Sequence, residues 1–159
     1  MADLKYVTYC GLYCKHCTQM ARIPQQAKTL YDTMKREGFE YFGPSVWPEF
    51  KDFWKHLQYL SEFEKTNTGC RAGGCGDPNC RIRVCAGERN VGICVYCDEY
   101  PCDRFDFLTR QYPSLLGEGQ KLKELGIDGW LEEQEKRCRR GYCFSESRYD
   151  ADLDTETNI

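Results

Sequence analysis

Three cysteines stand near the start of the chain in the stretch YCGLYCKHC, as Cys10, Cys14 and Cys17 in the spacing C-x3-C-x2-C. Thiols this close together hold a metal, either zinc through a tetrahedron of thiolates or iron in a sulfide cluster, or else pair as disulfides. A longer run, GCRAGGCGDPNCRIRVCAGERNVGICVYCDEYPC, carries Cys70, Cys75, Cys80, Cys85, Cys94, Cys97 and Cys102. Two intervening residues is the shortest convenient spacing at which a turn aims both sulfurs at one ion. Cys14 to Cys17 and Cys94 to Cys97 both have it. The expected metal ligands are the ten thiols from Cys10 to Cys102, enough for roughly two to three zinc ions at four thiolates each. Spacing alone does not say which of them share an ion, and Cys138 and Cys143 are a loose pair outside the set.

Composition narrows the chemistry. Twelve cysteines in 159 residues is several times the usual frequency, so a chain of one domain's length leans on cross-links or metal. The N-terminal MADLKYVTYC has neither a basic n-region nor an apolar h-region, and no apolar run approaches a membrane span. A cytoplasmic setting is therefore expected, where thiols stay reduced and metal is preferred to disulfides. A net charge of −3 argues against a general coat for nucleic acid.

Catalytic constellations are scarce. His16 lies between two cysteines and is expected as an exposed knuckle residue, with a fourth zinc nitrogen as the alternative; His56 is expected on a helix flank. No nucleophile, base and oxyanion donor can be assembled, and the glycines of RAGGCGD follow no strand that would make them a dinucleotide loop. The spacing C-x3-C-x2-C also serves radical S-adenosylmethionine enzymes, but those alternate strands and helices, and here the motif precedes two amphipathic helices. An iron-sulfur cluster on four thiolates, or a thiol redox role, remains the alternative to zinc.

The elements that must position these thiols read as helical. Pro24 opens a helix whose Ala27, Leu30, Tyr31 and Met34 share a face, and Gly38 stops it; Pro48 opens another with Phe50, Phe53, Trp54, Leu57 and Leu60 on one stripe. Asp77 and Pro78 predict the start of a short helix through Cys80 and Cys85, and Cys94 to Cys97 a tight turn. Pro101 predicts a helix ended by Pro113, and Asp128 caps a last helix, GWLEEQEKRCRR, closed by Gly141, whose basic end is solvated. The expectation is a mainly α fold: one small helical domain over residues 1–144 with irregular cysteine-rich metal-binding loops and zinc-knuckle-like turns. An acidic, mobile tail follows over 145–159.

With these motifs in order, YCGLYCKHC followed by NCRIRVCAGERNVGICVYCDEYPCDRF, the chain closely resembles the domain-of-unknown-function family 3795 over roughly residues 6 to 108. That resemblance implies a small cysteine-rich zinc-binding protein without an established activity. It carries the family's cysteine pattern onto Cys10, Cys14, Cys17, Cys80, Cys85, Cys94, Cys97 and Cys102. The segment TGCRAGGCGDPNC departs from the pattern, spacing its cysteines as C-x4-C-x4-C and setting Cys70 and Cys75 apart.

The metal is expected to be structural, with a binding module as the competing function. Arg71, Arg81, Arg83 and Arg89 cluster with Tyr96 and Tyr100 around the metal-rich segment, as in knuckles that clamp single-stranded nucleic acid or a protein partner. The plainer expectation is that these arginines donate hydrogen bonds to thiolates or to Asp77, Asp98, Glu99 and Asp103, since a tetrathiolate zinc site carries a formal charge of about −2.

Overall fold

A computed structural model describes residues 3–66, 69–73 and 77–146. Cys75 lies outside them, as does the expected tail beyond Ser145 and Glu146. The chain is mainly helical: among the described residues there is no β-strand, only an antiparallel bridge between Val7 and Tyr13. No helix of the described residues is long and apolar enough to cross a membrane. Backbone contacts separate two compact units, one formed by Met1–Cys17 with Thr68–Ile159 and the other by Thr18–Asn67.

The second unit contains no cysteine and consists of helices α1 (Thr18–Ala21), α2 (Ile23–Arg36), α3 (Phe39–Val46), α4 (Phe50–Ser61) and α5 (Phe63–Thr66). Pro24 sits in the first turn of α2, where its missing N–H costs nothing, and Gly38 follows the helix at φ 77°, a left-handed conformation that glycine adopts freely. Ala27, Met34, Phe50 and Leu57 are buried, with Tyr31, Phe39, Trp47, Phe53 and Trp54 packed around them. Phe50 and Trp54 stack at 5.5 Å, and Tyr31 meets Trp54 at 4.7 Å. Both helices expected here form, but their stripes are narrower than the sequence suggests: Leu30 is 46 % exposed and Leu60 is 37 % exposed.

Helix α3 is the element that the sequence hides, because Gly43-Pro44 reads as a breaker. Here the glycine serves packing. A Cβ at position 43 would collide with the Phe50 ring, so only glycine lets α3 come that close to α4.

The first unit is built differently. A turn at its start pairs Thr8 N–H with Leu12 O at 2.9 Å and Cys14 N–H with Tyr6 O at 2.7 Å. Its regular elements are α6 (Arg81–Glu88), α7 (Asp106–Gln111) and α8 (Leu115–Arg139), linked by loops and 3-10 turns. Helix α8 breaks at Gly126 (φ 68°, ψ 172°), and its halves fold back on each other. Gln134 Nε2 donates to Glu118 Oε2 at 3.1 Å, and Arg137 pairs with Glu118 at 3.0 Å. The half before the break, rich in glycine, is not anticipated by the sequence.

Two apolar clusters form this unit's core. Val7, Tyr13, Ile93, Val95, Leu122 and Trp130 make one, Ile82, Phe105, Leu108 and Leu115 the other, and Tyr100 packs on both. Two helices start later than expected. Helix α6 begins at Arg81 because Asp77 instead caps a turn of its own, accepting from Asn79 N–H at 2.8 Å. Helix α7 begins at Asp106, after a 3-10 turn at Asp103–Phe105, and ends before Pro113.

Candidate metal centre

The two C-x2-C turns have the same backbone. Cys14–His16 and Cys94–Tyr96 are both 3-10 turns entered from an extended residue, and in each the N–H of the second cysteine bonds to the carbonyl of the first at 2.9 Å. This brings both side chains of a pair to one side of a tight loop, as an ion requires.

Around the second turn, other thiols converge. Cys94 and Cys97 share a small cavity with Cys85, from the interior of α6, and Cys102, just before the Asp103–Phe105 turn. Ile82, Ala86, Val91 and Phe105 give it apolar walls, while Arg89, Glu99 and Arg104 bring charge to it. All four cysteines are free thiols. The cavity volume is about 20 Å³, room for one water-sized body. Burial, and then the neighbouring Cys10, Cys102, Cys85 and Cys97, push the Cys94 thiol up to about 12. As thiolates these sulfurs would repel one another, and a divalent cation among them would reverse that penalty.

Arg89 and Arg104 supply positive charge beside the sulfurs. Arg89 Nη1 pairs with Glu99 at 2.7 Å and reaches Cys97 Sγ at 4.0 Å; Arg104 is raised chiefly by its hydrogen bond to Cys102. Arg71 and Arg83 do something else. Arg71 donates to Val7 O at 2.6 Å and Gly92 O at 2.7 Å and lies over the Tyr9 ring, while Arg83 donates to the carbonyls of Cys70, Asp77 and Pro78. Both are staples for irregular backbone. Tyr100 packs in the core, so of the six expected partner-binding residues Arg81 and Tyr96 are the ones left on the surface without such a role.

Neither Cys14 nor Cys17 lines the cavity. Cys14 is buried, its sulfur 3.7 Å from where a Cβ on Gly69 would stand, and Cys17 is half-buried. Cys10, Cys70 and Cys80 are half-buried outside the cavity. Among the described residues, no three ligand-type side chains stand close enough to make a finished ligand set.

Residues 6–107 match the model of a family described as a protein of unknown function, DUF3795. The chain belongs to that family. Its matched span contains every cysteine of the cavity and both C-x2-C turns, but not the α8 hairpin. No curated protein and no solved structure matches the chain.

The expectation that fails in this region concerns His16, which is fully buried instead of exposed. Its ring packs edge-on against Tyr13, Tyr142 and Phe144, and Nε2 lies 3.2 Å from Gln134 O. Burial lowers its pKa to about 4, so the imidazole is neutral. The basic end of α8 is likewise not all solvated: Arg137 is held by Glu118 and lies 4.0 Å over the Tyr142 ring. A signal for this network is present in the sequence, since Gln134 occupies a helical position in register with the apolar Ile127, Trp130, Leu131 and Cys138.

Proposed function

We propose that this chain is a zinc-binding protein in which Cys85, Cys94, Cys97 and Cys102 ligate one ion whose role is structural. The observation that supports the reading is the convergence of four free thiols from three segments on one cavity of about 20 Å³. Zinc supplies a cross-link there: four thiolates complete its tetrahedron and leave no open position for substrate. The sulfurs close on the ion as it binds, so binding free energy is folding free energy.

The chain's own residues prepare the site. The Cys94–Tyr96 turn fixes two donors, α6 and the segment before α7 bring the others, and Arg89 and Arg104 offset the negative charge. In this reading a cytoplasmic setting keeps the thiols reduced. A nucleic-acid or protein partner would have to dock through Arg81 and Tyr96, the exposed remainder of the basic and aromatic set.

Elemental analysis and absorption spectroscopy on protein purified without oxygen test the proposal. The expected sample is colourless and contains zinc, and Cys97→Ser lowers its zinc content by one ion. A brown sample with iron and sulfide in equal amounts would replace zinc by a cluster.

A further inference from the structure

The Cys14–Cys17 turn stands outside the cavity, and the zinc reading leaves both of its thiols unused. Its backbone is held at each end. Cys14 N–H donates to Tyr6 O at 2.7 Å, beside the bridge between Val7 and Tyr13, and Cys17 N–H closes the turn on Cys14 O at 2.9 Å. Between the two cysteines, fully buried His16 acts as an anchor. Tyr13, Tyr142 and Phe144 pack edge-on against its ring, and Gln134 O lies 3.2 Å from Nε2. Residues from the far end of the chain therefore hold the turn in shape.

That shape suits one bond between the two sulfurs. The ends of a closed four-residue turn have Cα atoms less than about 7 Å apart, and disulfides span Cα separations of roughly 4.4–6.8 Å. Side chains at the first and fourth positions of a 3-10 turn eclipse, so both sulfurs leave on one side. The two thiols differ in access. Cys14 is 4 % exposed, with its sulfur 3.7 Å from where a Cβ on Gly69 would stand, whereas Cys17 is half-buried and reaches solvent. An incoming reagent meets Cys17 first, and Cys14 is already in place behind it.

We propose that Cys14 and Cys17 form a thiol-disulfide exchange pair that is oxidised by a low-molecular-weight disulfide of the glutathione type. The Cys17 thiolate attacks one sulfur of that disulfide and displaces the first small thiolate, leaving a mixed disulfide on Cys17. The Cys14 thiolate then attacks the Cys17 sulfur and displaces the second. Both leaving thiolates take up the protons that the cysteines gave up, so the pair loses two electrons and the small disulfide gains them. Excess small thiol runs the same steps backwards. Reversible disulfides of this kind are the ones a reducing compartment permits. The proposal goes beyond the zinc reading and uses none of the four cavity thiols.

The test treats the full chain, purified without oxygen, with oxidised glutathione. Remaining thiols are then alkylated, and the unreduced tryptic peptides are mapped by mass spectrometry. Trypsin cuts after Lys15, between the two cysteines, so the expected bond appears as two linked peptides, with two equivalents of reduced glutathione released per chain. Dithiothreitol should reverse it, and zinc content should not change. Cys14→Ser is expected to stop at a mixed disulfide on Cys17, and Cys17→Ser to take up no glutathione at Cys14. Because a serine variant can fail to fold, the native chain decides. A native chain that keeps glutathione on Cys17, or that leaves both thiols open to alkylation, would overturn the proposal. So would protection of both thiols until a chelator is added, or loss of zinc as they oxidise, since either would make them metal ligands. A chain without zinc that still forms the Cys14–Cys17 bond would overturn the zinc reading and leave the exchange pair.

Discussion

The two units of this chain solve the same problem by different means. The Thr18–Asn67 unit has no cysteine and buries a cluster of aromatic side chains between α2, α3 and α4. The other unit divides its apolar residues between two clusters and uses arginine side chains to satisfy the carbonyls of its loops. A helical hairpin with interdigitated rings needs no added cross-link, whereas loops and 3-10 turns fix backbone entropy without the repeated hydrogen bonds of a helix. Cysteine-ligated metal is the usual remedy. On the zinc reading proposed above, metal dependence is confined to the cysteine-rich unit.

The largest effect should come from removing metal. With Trp130, 1 % exposed, as reporter of the cysteine-rich unit and Trp47 and Trp54 as reporters of the helical one, chelation should shift the Trp130 emission to the red and leave the other two nearly unchanged. Structural zinc is worth on the order of 10 kcal/mol, as much as the whole stability of a small unit. Variants with one class of tryptophan replaced by Phe separate the signals. Restoring zinc near pH 7 should release about four protons per ion at the tetrathiolate centre. The sign follows from Cys94: its thiol, pushed up to about 12, is protonated at neutral pH, so affinity falls as pH falls.

Phe50→Ala should do the reverse. Phe50 is 1 % exposed at the centre of the aromatic cluster, and its loss should cost about 3–5 kcal/mol in the helical unit while zinc content stays the same. Urea unfolding followed at Trp47 and Trp54 measures it, and equal loss of the Trp130 transition would break the comparison.

Two glycines give a smaller, paired test. Gly43→Ala drives a methyl into the Phe50 ring, and Gly119→Ala drives one into the Tyr100 hydroxyl. Each should cost about 1–3 kcal/mol, the first seen at Trp47 and Trp54 and the second at Trp130. The smallest effect is expected at Cys138, half-buried and outside the cavity of the proposed zinc site: Cys138→Ser should change stability by about 1 kcal/mol or less and leave zinc content unchanged. A lost ion there would enlarge the ligand set.

Legibility in the sequence follows the same division. Helices α2 and α4 could be read from proline, glycine and an apolar stripe because those signals are local. The C-x2-C turns were equally local, and their shared 3-10 form follows from their spacing. The partners of Cys94 and Cys97 were not legible, because Cys85 and Cys102 reach the cavity through the path of the whole segment. Helix α3 and the first half of α8 were hidden by glycines that serve close packing at Gly43 and Gly119 instead of turns. His16 was misplaced for a related reason: a residue inside a knuckle is exposed by default, and the rings of Tyr142 and Phe144 that cover it lie more than a hundred residues away.

X-ray absorption at the zinc edge of anaerobically purified full-length protein tests the central claim most directly. The account predicts zinc surrounded mainly by sulfur at about 2.3 Å. A shell of nitrogen and oxygen at about 2.0–2.1 Å would contradict it, as would iron in place of zinc.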